Sequence, residues 1–473
     1  RRIVRRSAEL NGLRRSLTAV LVLSGWSSFI DLCYKWYNEV MRIGLFTDSY
    51  RPSINGIVYV VESLKRELEA LGHEVYVFCP AKSISPAKQA ELLHEDDNSR
   101  IIRFRSIKGA FFDDYDTSVF FPPVVQRQIA NMNLDVVHIF TPSQIGLLGV
   151  KAANKNNIPL VVQHCTDLYE FVDHYPAVLP GVLALAGIVF PLSVKLNGQD
   201  LLEVAKLYRP RNGVTKWNKD IIERVITILY SKADAVIALS RKSRDQLQSW
   251  QTEDYSYKIT LMPNGVNALP KPKTERIKEF RKQWGLREKD EVFGFVGRLG
   301  EEKNLPILIE AFDKFIASAR PKSKLLFVGD FEYRETLEKM AAETNFADRI
   351  IFTGAMPRED LGVAYEVMKV FTFPSLKDTQ GWVLHEAAHA GKPIVIIDTE
   401  VSEVVKDGIN GYFAENTPES VAEKVISILK SPKKQAEFSA ESKKLARKFT
   451  ERSQVKKLEK LYQSLIETRK NLE

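Results

Sequence analysis

From Met41 onwards the chain alternates short apolar runs, rich in β-branched residues, with longer amphipathic stretches. A short apolar run followed by a helical pattern is typical of a βα unit, and a series of such units forms a parallel sheet with helices on both faces. The predicted strands of the first half are residues 43–47, 74–79, 136–140, 160–164 and 235–239. These units predict one doubly wound α/β domain.

A second series of βα units follows a proline- and lysine-rich stretch at residues 270–273, which has the composition of a linker. Its predicted strands are residues 292–296, 325–328, 350–353, 370–373 and 394–397. A chain of 473 residues is too long for one ordinary core, so two domains are expected. The predicted fold is α/β, with two doubly wound Rossmann-like domains that face a cleft. The predicted boundaries are residues 41–268, residues 269–448 and a C-terminal helix at residues 449–473.

The first 40 residues differ in character from the rest. A basic stretch precedes an apolar run at residues 17–30, and together they have the features of a signal sequence or membrane anchor. Met41 stands directly before the first predicted strand, which favours a native protein that starts there. We therefore interpret residues 1–40 as an N-terminal extension that is not native, with an anchor as the alternative.

Cysteine and charge content bear on the compartment and the partners. Cys33, Cys79 and Cys165 are the three cysteines, and none forms a C-x-x-C pair or a disulfide framework, which predicts a reducing, cytoplasmic compartment. The formal charge of +8 is modest, but its Lys and Arg residues are clustered in a way that suits anionic surfaces such as nucleotides or phospholipids. Nucleic-acid binding is not expected, because the basic residues lack interleaved stacking aromatics.

The loop after the first strand of each domain carries candidate ligand contacts. In the first domain Gly56 opens a helix, whose free N–H groups favour an anionic ligand, although a simple turn is the alternative. In the second domain Gly297 follows the strand directly, and Arg298 and Lys303 come next. Two fixed cations at the mouth of a cleft suit a diphosphate. The alternative is a solvated charged loop without a ligand.

The densest pattern lies at residues 373–395. A strand leads into a loop with Asp378 and Gly381, then into a helix with Glu386, and finally through Gly-Lys-Pro into another strand. This pattern resembles the acidic-pair motif of the family-4 retaining glycosyltransferases, in which acid, glycine and glutamate hold these relative positions. Residues 264–266, 297–303 and 402–411 also resemble recurring segments of that family, in its usual order, so the resemblance covers nearly everything from Met41 onwards.

The resemblance implies a GT-B fold, with an acceptor-side first domain and a nucleotide-sugar donor domain second. It implies that Glu386 binds the nucleotide ribose, that Asp378 faces the donor sugar and that His164, at a strand end, contacts the donor hydroxyls. The implied catalytic residues are His164, Arg298, Lys303 and Asp378. The implied donor-binding residues are Gly56, Gly297, Arg298, Lys303, Gly381, Trp382, Val383 and Glu386. Two departures stand out, since the family usually has Glu at position 378 and more often Thr at position 165.

The resemblance also implies the chemistry, which is transfer of a hexose with retention at the anomeric carbon. No metal and no other cofactor is expected, because the chain lacks a DxD-type acidic pair in the relevant loop and its cations can stabilise the leaving group. Residues 379–381 resemble the glycolipid-forming glucosyltransferases of the family. This similarity favours UDP-glucose as donor and a membrane lipid, a lipid-linked sugar or another carbohydrate as acceptor.

Other classes of enzyme compete with this interpretation. His385, Glu386 and His389 form a literal H-E-x-x-H match to zinc metalloproteases, with packing of both histidines on their helix as the alternative. A nucleotide-sugar epimerase or hydrolase of the same architecture is a second rival, and a non-catalytic nucleotide-sugar sensor is a third. Turnover with and without an acceptor separates the last two from a transferase.

Residues 177–194 form an uncharged apolar run that approaches the length of a spanning helix. Pro180 and Pro191 would interrupt such a helix, and strands of one sheet lie on both sides of the run, so spanning is not expected. A helix buried between the lobes is one alternative. Basic residues follow, with Trp217 among them: Lys195, Lys206, Arg209, Arg211, Lys216 and Lys219. This pairing predicts a cytoplasmic, monotopic enzyme that binds peripherally to an anionic membrane surface, the inner face of the plasma membrane.

Overall fold

The computed structural model describes residues 40–51, 53, 55–81, 100–107, 117–118, 123–165, 169, 183, 185–209 and 213–472. The predicted N-terminal extension therefore lies outside the described residues, apart from Val40. No helix in the described ranges is both long enough and apolar enough to cross a membrane.

The first domain is built on a sheet that has eight strands within the described residues, in the order β4-β3-β2-β1-β5-β6-β7-β8. The strands are β1 (Arg42–Phe46), β2 (Glu74–Ala81), β3 (Ile101–Ile107), β4 (Thr117–Ser118), β5 (Val136–Ile139), β6 (Leu160–His164), β7 (Ala235–Ala238) and β8 (Ile259–Leu261). All neighbouring strands are parallel except β3 and β4. The strand order reverses between β1 and β5, which is where doubly wound sheets bind ligands.

Helices cover both faces of this sheet. They are α1 (Gly56–Glu69), α2 (Pro123–Asn131), α3 (Gln144–Asn156), a π-helical turn Leu185–Val189 that runs into a helical turn Phe190–Ser193, α4 (Gly198–Leu207), α5 (Val214–Ser231) and α6 (Arg241–Ser249). Helix α1 begins where the side chain of Asn55 accepts a hydrogen bond from the Val58 N–H at 3.1 Å. Asp48, buried after β1, accepts bonds from the Thr141 hydroxyl at 2.5 Å and the Ile145 N–H at 2.8 Å, so it caps α3 and joins the ends of β1 and β5.

The second domain repeats the architecture with a parallel sheet in the order β11-β10-β9-β12-β13-β14. Its strands are β9 (Glu291–Val296), β10 (Ser323–Val328), β11 (Ile350–Phe352), β12 (Val370–Phe373), β13 (Ile394–Ile396) and β14 (Gly411–Phe413). Its helices are α7 (Thr274–Gln283), α8 (Pro306–Ala311) with its continuation through a π-helical turn Phe312–Ile316 into Ala317–Ala319, α9 (Arg334–Ala342), α10 (Leu361–Val367), α11 (Trp382–His389), α12 (Pro418–Leu429) and α13 (Pro432–Ala446). Single 3₁₀ turns occupy Glu301–Lys303, Ala347–Arg349, Arg358–Asp360 and Arg447–Phe449.

The last helix, α14 (Glu451–Asn471), returns to the first domain. The hydroxyl of Tyr462 bonds to Nδ1 of His138 on β5 at 2.6 Å, and Leu458 packs into the same core. The two chain crossings between the domains lie side by side, because the Val266 N–H donates to the Phe449 carbonyl at 2.9 Å. A Cβ at Gly265 would lie 2.3 Å from the Cα of Glu451, so only glycine fits at this crossing.

The predicted fold class is confirmed, and every predicted strand is present with ends shifted by at most a few residues. Strands β3, β4, β8 and β14 were not predicted. Strands β4, β8 and β14 lie at sheet edges, where pairing on one side and partial exposure leave only a weak apolar pattern.

Candidate active site

The candidate site lies where the strand order of the second sheet reverses, between β9 and β12. The loop after β9 carries Arg298 and Lys303, and the loop after β12 carries Asp378. Because these two strands are neighbours, their loops meet at one edge of the sheet. The Nζ atom of Lys303 lies 2.8 Å from Oδ1 of Asp378, so the structure brings together two residues that the sequence placed 75 positions apart.

The Lys303–Asp378 pair is mostly buried. The side chains retain 13% and 21% of their exposure, respectively. Burial works against the charged carboxylate, but Lys303, the Ser375 hydroxyl and Lys242 outweigh it, so the pKa of Asp378 lies below its ordinary value. Lys242, on α6 of the first domain, also donates to the Leu376 carbonyl and pairs with Asp398 at 2.9 Å. The first domain thereby fixes the loop that carries Asp378.

Arg298 is the more open of the two cations, with 53% of its side chain exposed. Its guanidinium pairs with Glu302 at 2.9 Å, and its Cζ lies 4.4 Å from the centroid of the Phe331 ring. Gly297 before it adopts a φ of +146°, a conformation that L side chains rarely take. Two contacts therefore orient a cation that still faces solvent at the mouth of the site.

Helix α11 presents its N-terminus to the same edge. Gly381, at φ +64°, precedes Trp382 and Val383, whose backbone N–H groups belong to the helical turn that has no intrahelical acceptors. One turn further on, Glu386 is 2% exposed, with Oε1 2.7 Å from Nη1 of Arg358 and Oε2 accepting from the Tyr365 hydroxyl at 3.0 Å. Burial raises the pKa of Glu386, although Arg358 and Tyr365 oppose that rise.

Arg358 was not among the site residues predicted from the sequence. It lies in the 3₁₀ turn Arg358–Asp360, in the loop that follows β11, and no motif of the family resemblance includes it. The available signal was its position, since the loop follows a predicted strand and therefore opens at the same edge of the sheet as Lys303 and Asp378.

The first domain places its predicted residues at two different depths. Gly56 is the first residue of α1, and nothing lies within 4 Å of where its Cβ would be, so a ligand has room to approach. His164 is 2% exposed, and its Nδ1 is hydrogen-bonded to the Tyr230 hydroxyl at 2.9 Å, with the Trp250 ring nearby. Its predicted contact with the donor hydroxyls stays a prediction.

Cys165, directly after His164, joins the two domains. Its carbonyl accepts a hydrogen bond from the Thr379 hydroxyl at 3.2 Å, which connects the end of β6 to the loop that carries Asp378. Burial raises the pKa of the Cys165 thiol to about 12, so the thiolate is disfavoured at neutral pH. A protonated thiol is a poor nucleophile, which favours a packing role for Cys165.

The H-E-x-x-H histidines serve the junction between the domains. His385 is fully buried with its Nε2 3.4 Å from the Ser402 hydroxyl, and burial lowers its pKa to about 3. Nε2 of His389 lies 2.7 Å from the Val266 carbonyl, so it carries a proton and donates. Within the described ranges no group of three His, Cys, Asp or Glu side chains is arranged to hold a metal ion. Both imidazoles pack and form hydrogen bonds, the alternative weighed from the sequence.

Two doubly wound domains in contact, with fixed cations and a helix that carries a buried glutamate where the second sheet reverses, form the arrangement of a GT-B glycosyltransferase. The family description "Glycosyltransferase Family 4" matches residues 54–268, and "Glycosyl transferases group 1" matches residues 276–445. The chain belongs to the family-4 glycosyltransferases, as the resemblance predicted, and it is an enzyme of that class rather than a zinc protease.

Relatives and solved structures agree with this assignment. The chain is 29% identical to the alpha-monoglucosyldiacylglycerol synthase of Acholeplasma laidlawii, over 90% of this chain and 98% of the relative. It is 23% identical to the GDP-mannose-dependent alpha-mannosyltransferase of Corynebacterium glutamicum, over 79% of this chain and 77% of the relative. The crystal structure of Anabaena Alr3699/HepE in complex with UDP has the same fold, with a TM-score of 0.62, 18% identity and coverage of 90% of this chain and all of that one.

Proposed function

We propose that the protein transfers a hexose from a nucleotide sugar, with UDP-glucose as the favoured donor, to a membrane lipid or lipid-linked sugar. The Lys303–Asp378 pair carries this proposal, because it fixes a lysine at the sheet edge where the loop with Arg298 and the start of α11 also lie. Cations and free helix N–H groups at one edge suit a diphosphate. The relative from Acholeplasma laidlawii, named for a monoglucosylated diacylglycerol, supports glucose and a lipid acceptor.

The proposed chemistry is transfer with retention. As the bond between the anomeric carbon and the diphosphate oxygen breaks, negative charge grows on the leaving nucleoside diphosphate. Lys303 and Arg298 stabilise that charge, and the N–H groups of Trp382 and Val383 add to their effect. The acceptor hydroxyl then attacks the short-lived oxocarbenium-like species from the face the diphosphate leaves, and its proton passes to the departing diphosphate oxygen. Asp378 lies beside the donor sugar, and Glu386 holds the ribose.

A screen of UDP- and GDP-sugars with a lipid acceptor tests the donor. We expect UDP-glucose to give the highest rate and transfer to need the acceptor, with activity retained in chelator because protein cations carry the leaving-group charge. GDP-mannose is the second candidate donor, since a relative is named for it. Release of free sugar at the same rate with and without acceptor would favour the hydrolase alternative, and loss of activity in chelator would contradict metal independence.

An exposed apolar ridge supports the membrane acceptor. We define this ridge by four side chains, each at least half exposed: Ile188 at 63%, Leu192 at 68%, Leu201 at 50% and Leu202 at 65%. Exposed basic residues lie close to it in the chain: Lys195, Lys206, Arg209 and Lys216. Apolar side chains flanked by cations suit insertion into an anionic leaflet.

The ridge differs from the surface that the sequence predicted. Leu183 and Trp217 pack against a small core of Ala186, Leu207 and Ile221, and the Trp217 indole N–H donates to the Leu207 carbonyl at 2.6 Å. Trp217 is therefore a packing residue, and α4 supplies exposed leucines that the sequence pattern did not single out. Residues 177–182, 184 and Arg211, which belong to the predicted surface, lie outside the described residues.

Flotation with lipid vesicles tests the ridge. A chain that begins at Met41 is expected to float with vesicles rich in phosphatidylglycerol and to float less at high salt, because screening weakens the basic contribution. Changing Ile188, Leu192, Leu201 and Leu202 together to Ser is expected to weaken binding roughly tenfold or more, given the apolar area that leaves water.

Ile409 and Leu472 give a matched control, because they are exposed apolar residues outside the ridge. The Ile409→Ser, Leu472→Ser variant is expected to float like the parent. Equal flotation of the folded ridge variant, or a parent chain that never floats, would show that the ridge is not the membrane contact.

A further inference from the structure

Arg358 contacts both the donor site and the first domain. Its Nη1 atom lies 2.7 Å from Oε1 of Glu386, on α11 of the second domain. Its Cζ atom also lies 5.1 Å from the centroid of the Tyr59 ring, on α1 of the first domain. A planar guanidinium can offer N–H groups along its edge and its face to an aromatic ring at once, which an ammonium group cannot do.

The Glu386 end of this contact is the buried end. Glu386 is 2% exposed, whereas 37% of the Arg358 side chain is exposed. The two carboxylate oxygens of Glu386 have different partners, Arg358 on one and the Tyr365 hydroxyl on the other, so both oxygens are fixed. His385 and His389 share the helix but bond to Ser402 and Val266 instead. Removing Arg358 would leave a buried carboxylate with a single neutral donor.

The Tyr59 end is anchored within the first domain. Tyr59 lies three positions after Gly56, in the first turn of α1. Arg51 also lies near its ring, with Cζ 5.4 Å from the centroid, and the Arg51 guanidinium is held by both oxygens of Glu62 at 2.7 and 2.9 Å. The Tyr59 ring is therefore held in position where the Arg358 guanidinium contacts it.

We propose that Arg358 is a positioning residue for the donor, which holds the Glu386 carboxylate in place for the ribose hydroxyls and, through Tyr59, makes nucleotide binding depend on contact between the two domains. This inference rests on the proposed function, in which Glu386 binds the ribose. Arg358 acts through Glu386 and takes no part in breaking the sugar bond. Its loss therefore weakens nucleotide binding more than it slows transfer at saturating donor.

Titration calorimetry of the full chain with UDP tests this role. Arg358→Gln, which removes the charge and shortens the side chain, is expected to weaken UDP binding roughly 10- to 100-fold at pH 8, the scale of a hydrogen bond to a charged group. The loss is expected to grow at pH 6. Arg358 is the main group that opposes the burial-raised pKa of Glu386, so its removal lets the carboxyl take up a proton at higher pH. A protonated carboxyl accepts fewer hydrogen bonds from the ribose.

The ratio of parent to variant affinity cancels the titration of UDP itself, so a ratio that is larger at pH 6 supports action through Glu386. Arg358→Lys keeps the positive charge, so its pH dependence is expected to be close to that of the parent. Only part of the parental UDP affinity is expected to return. Tyr59→Leu is expected to weaken binding a few-fold in the parent and to add little in the Arg358→Gln variant, because coupled residues are not additive.

Arg276→Gln is the matched control, because Arg276 pairs at 2.8 Å with Asp360 in the same loop and does not contact Glu386. It is expected to bind UDP like the parent. Unchanged UDP affinity in folded Arg358→Gln, or an equal loss at both pH values, would overturn the inference. Failure of the parent to bind any nucleoside diphosphate would instead overturn the proposed function, and this inference with it.

Discussion

Lys303→Ala is expected to lower the rate of sugar transfer by about a hundredfold or more, the scale of losing one preorganised charge donor at a developing anion. The structure gives the reason, because Lys303 is fixed at 2.8 Å from Asp378 in a site where its side chain is only 13% exposed. A cation held in place needs no reorganisation when the leaving group develops its charge. Arg298→Ala is expected to have an effect of the same order.

Initial rates at saturating donor and acceptor measure this effect, and circular dichroism checks the fold of each variant. Lys314→Ala is the control, because Lys314 is an exposed lysine of the second domain, paired with Glu310 at 2.9 Å and outside the site. It is expected to transfer sugar at the parental rate. Near-normal rates in both Lys303→Ala and Arg298→Ala would contradict the assignment of the diphosphate site.

Asp378→Ala is expected to reduce transfer by a similar factor, about a hundredfold. Two effects combine in this variant, because the carboxylate that we propose lies beside the donor sugar is lost and Lys303 loses the partner that orients it. Asp378→Glu is expected to be tolerated within a few-fold, since it restores the residue usual in the family and keeps the charge. Asp378→Asn keeps the size and removes the charge, so it separates these two properties.

Initial rates of the three Asp378 variants show whether the charge or the reach of the carboxylate is needed for transfer. A tolerated Glu and an impaired Asn would show that the carboxylate charge is needed and that its reach is not. If Ala and Glu variants both transfer sugar like the parent, Asp378 has no part in catalysis.

The strands that the sequence predicted are the buried ones. For example, residues 43–46 and residues 292–296 lie in central strands, where both faces are covered and the run of apolar residues is nearly continuous. Strand β3, by contrast, alternates arginines with apolar residues, and Arg103 uses its side chain to bond the Arg51 carbonyl. A periodic pattern reports burial, so the partly exposed strands β3, β8 and β14 and the two-residue strand β4 were not predicted. The mostly buried strands β11 and β13 were predicted, although each has only three residues.

The sequence predicted that Arg298, Lys303 and Asp378 lie at one edge of a sheet, but it did not predict which side chains contact one another. The positions of Arg298, Lys303 and Asp378 follow from loops at the ends of predicted strands, because adjacent parallel strands open at one edge. The pairing of Glu386 with Arg358 joins a helix and a loop of the second domain that are not adjacent in the sequence, and the contact of Arg358 with Tyr59 depends on how the two domains meet. No local pattern encodes that contact. His164 shows the converse, since its place at a strand end was correct but its imidazole bonds to Tyr230 within the first domain.

The return of α14 to the first domain has a consequence for how the protein is made. Val455, Leu458 and Tyr462 belong to the core of the first domain, yet they are translated after the whole second domain. While the ribosome is still elongating the chain, the second domain can close its core, but the first lacks one of its helices. We therefore expect the nascent first domain to be the part that chaperones bind, and its final folding to follow synthesis of α14 rather than precede synthesis of the second domain.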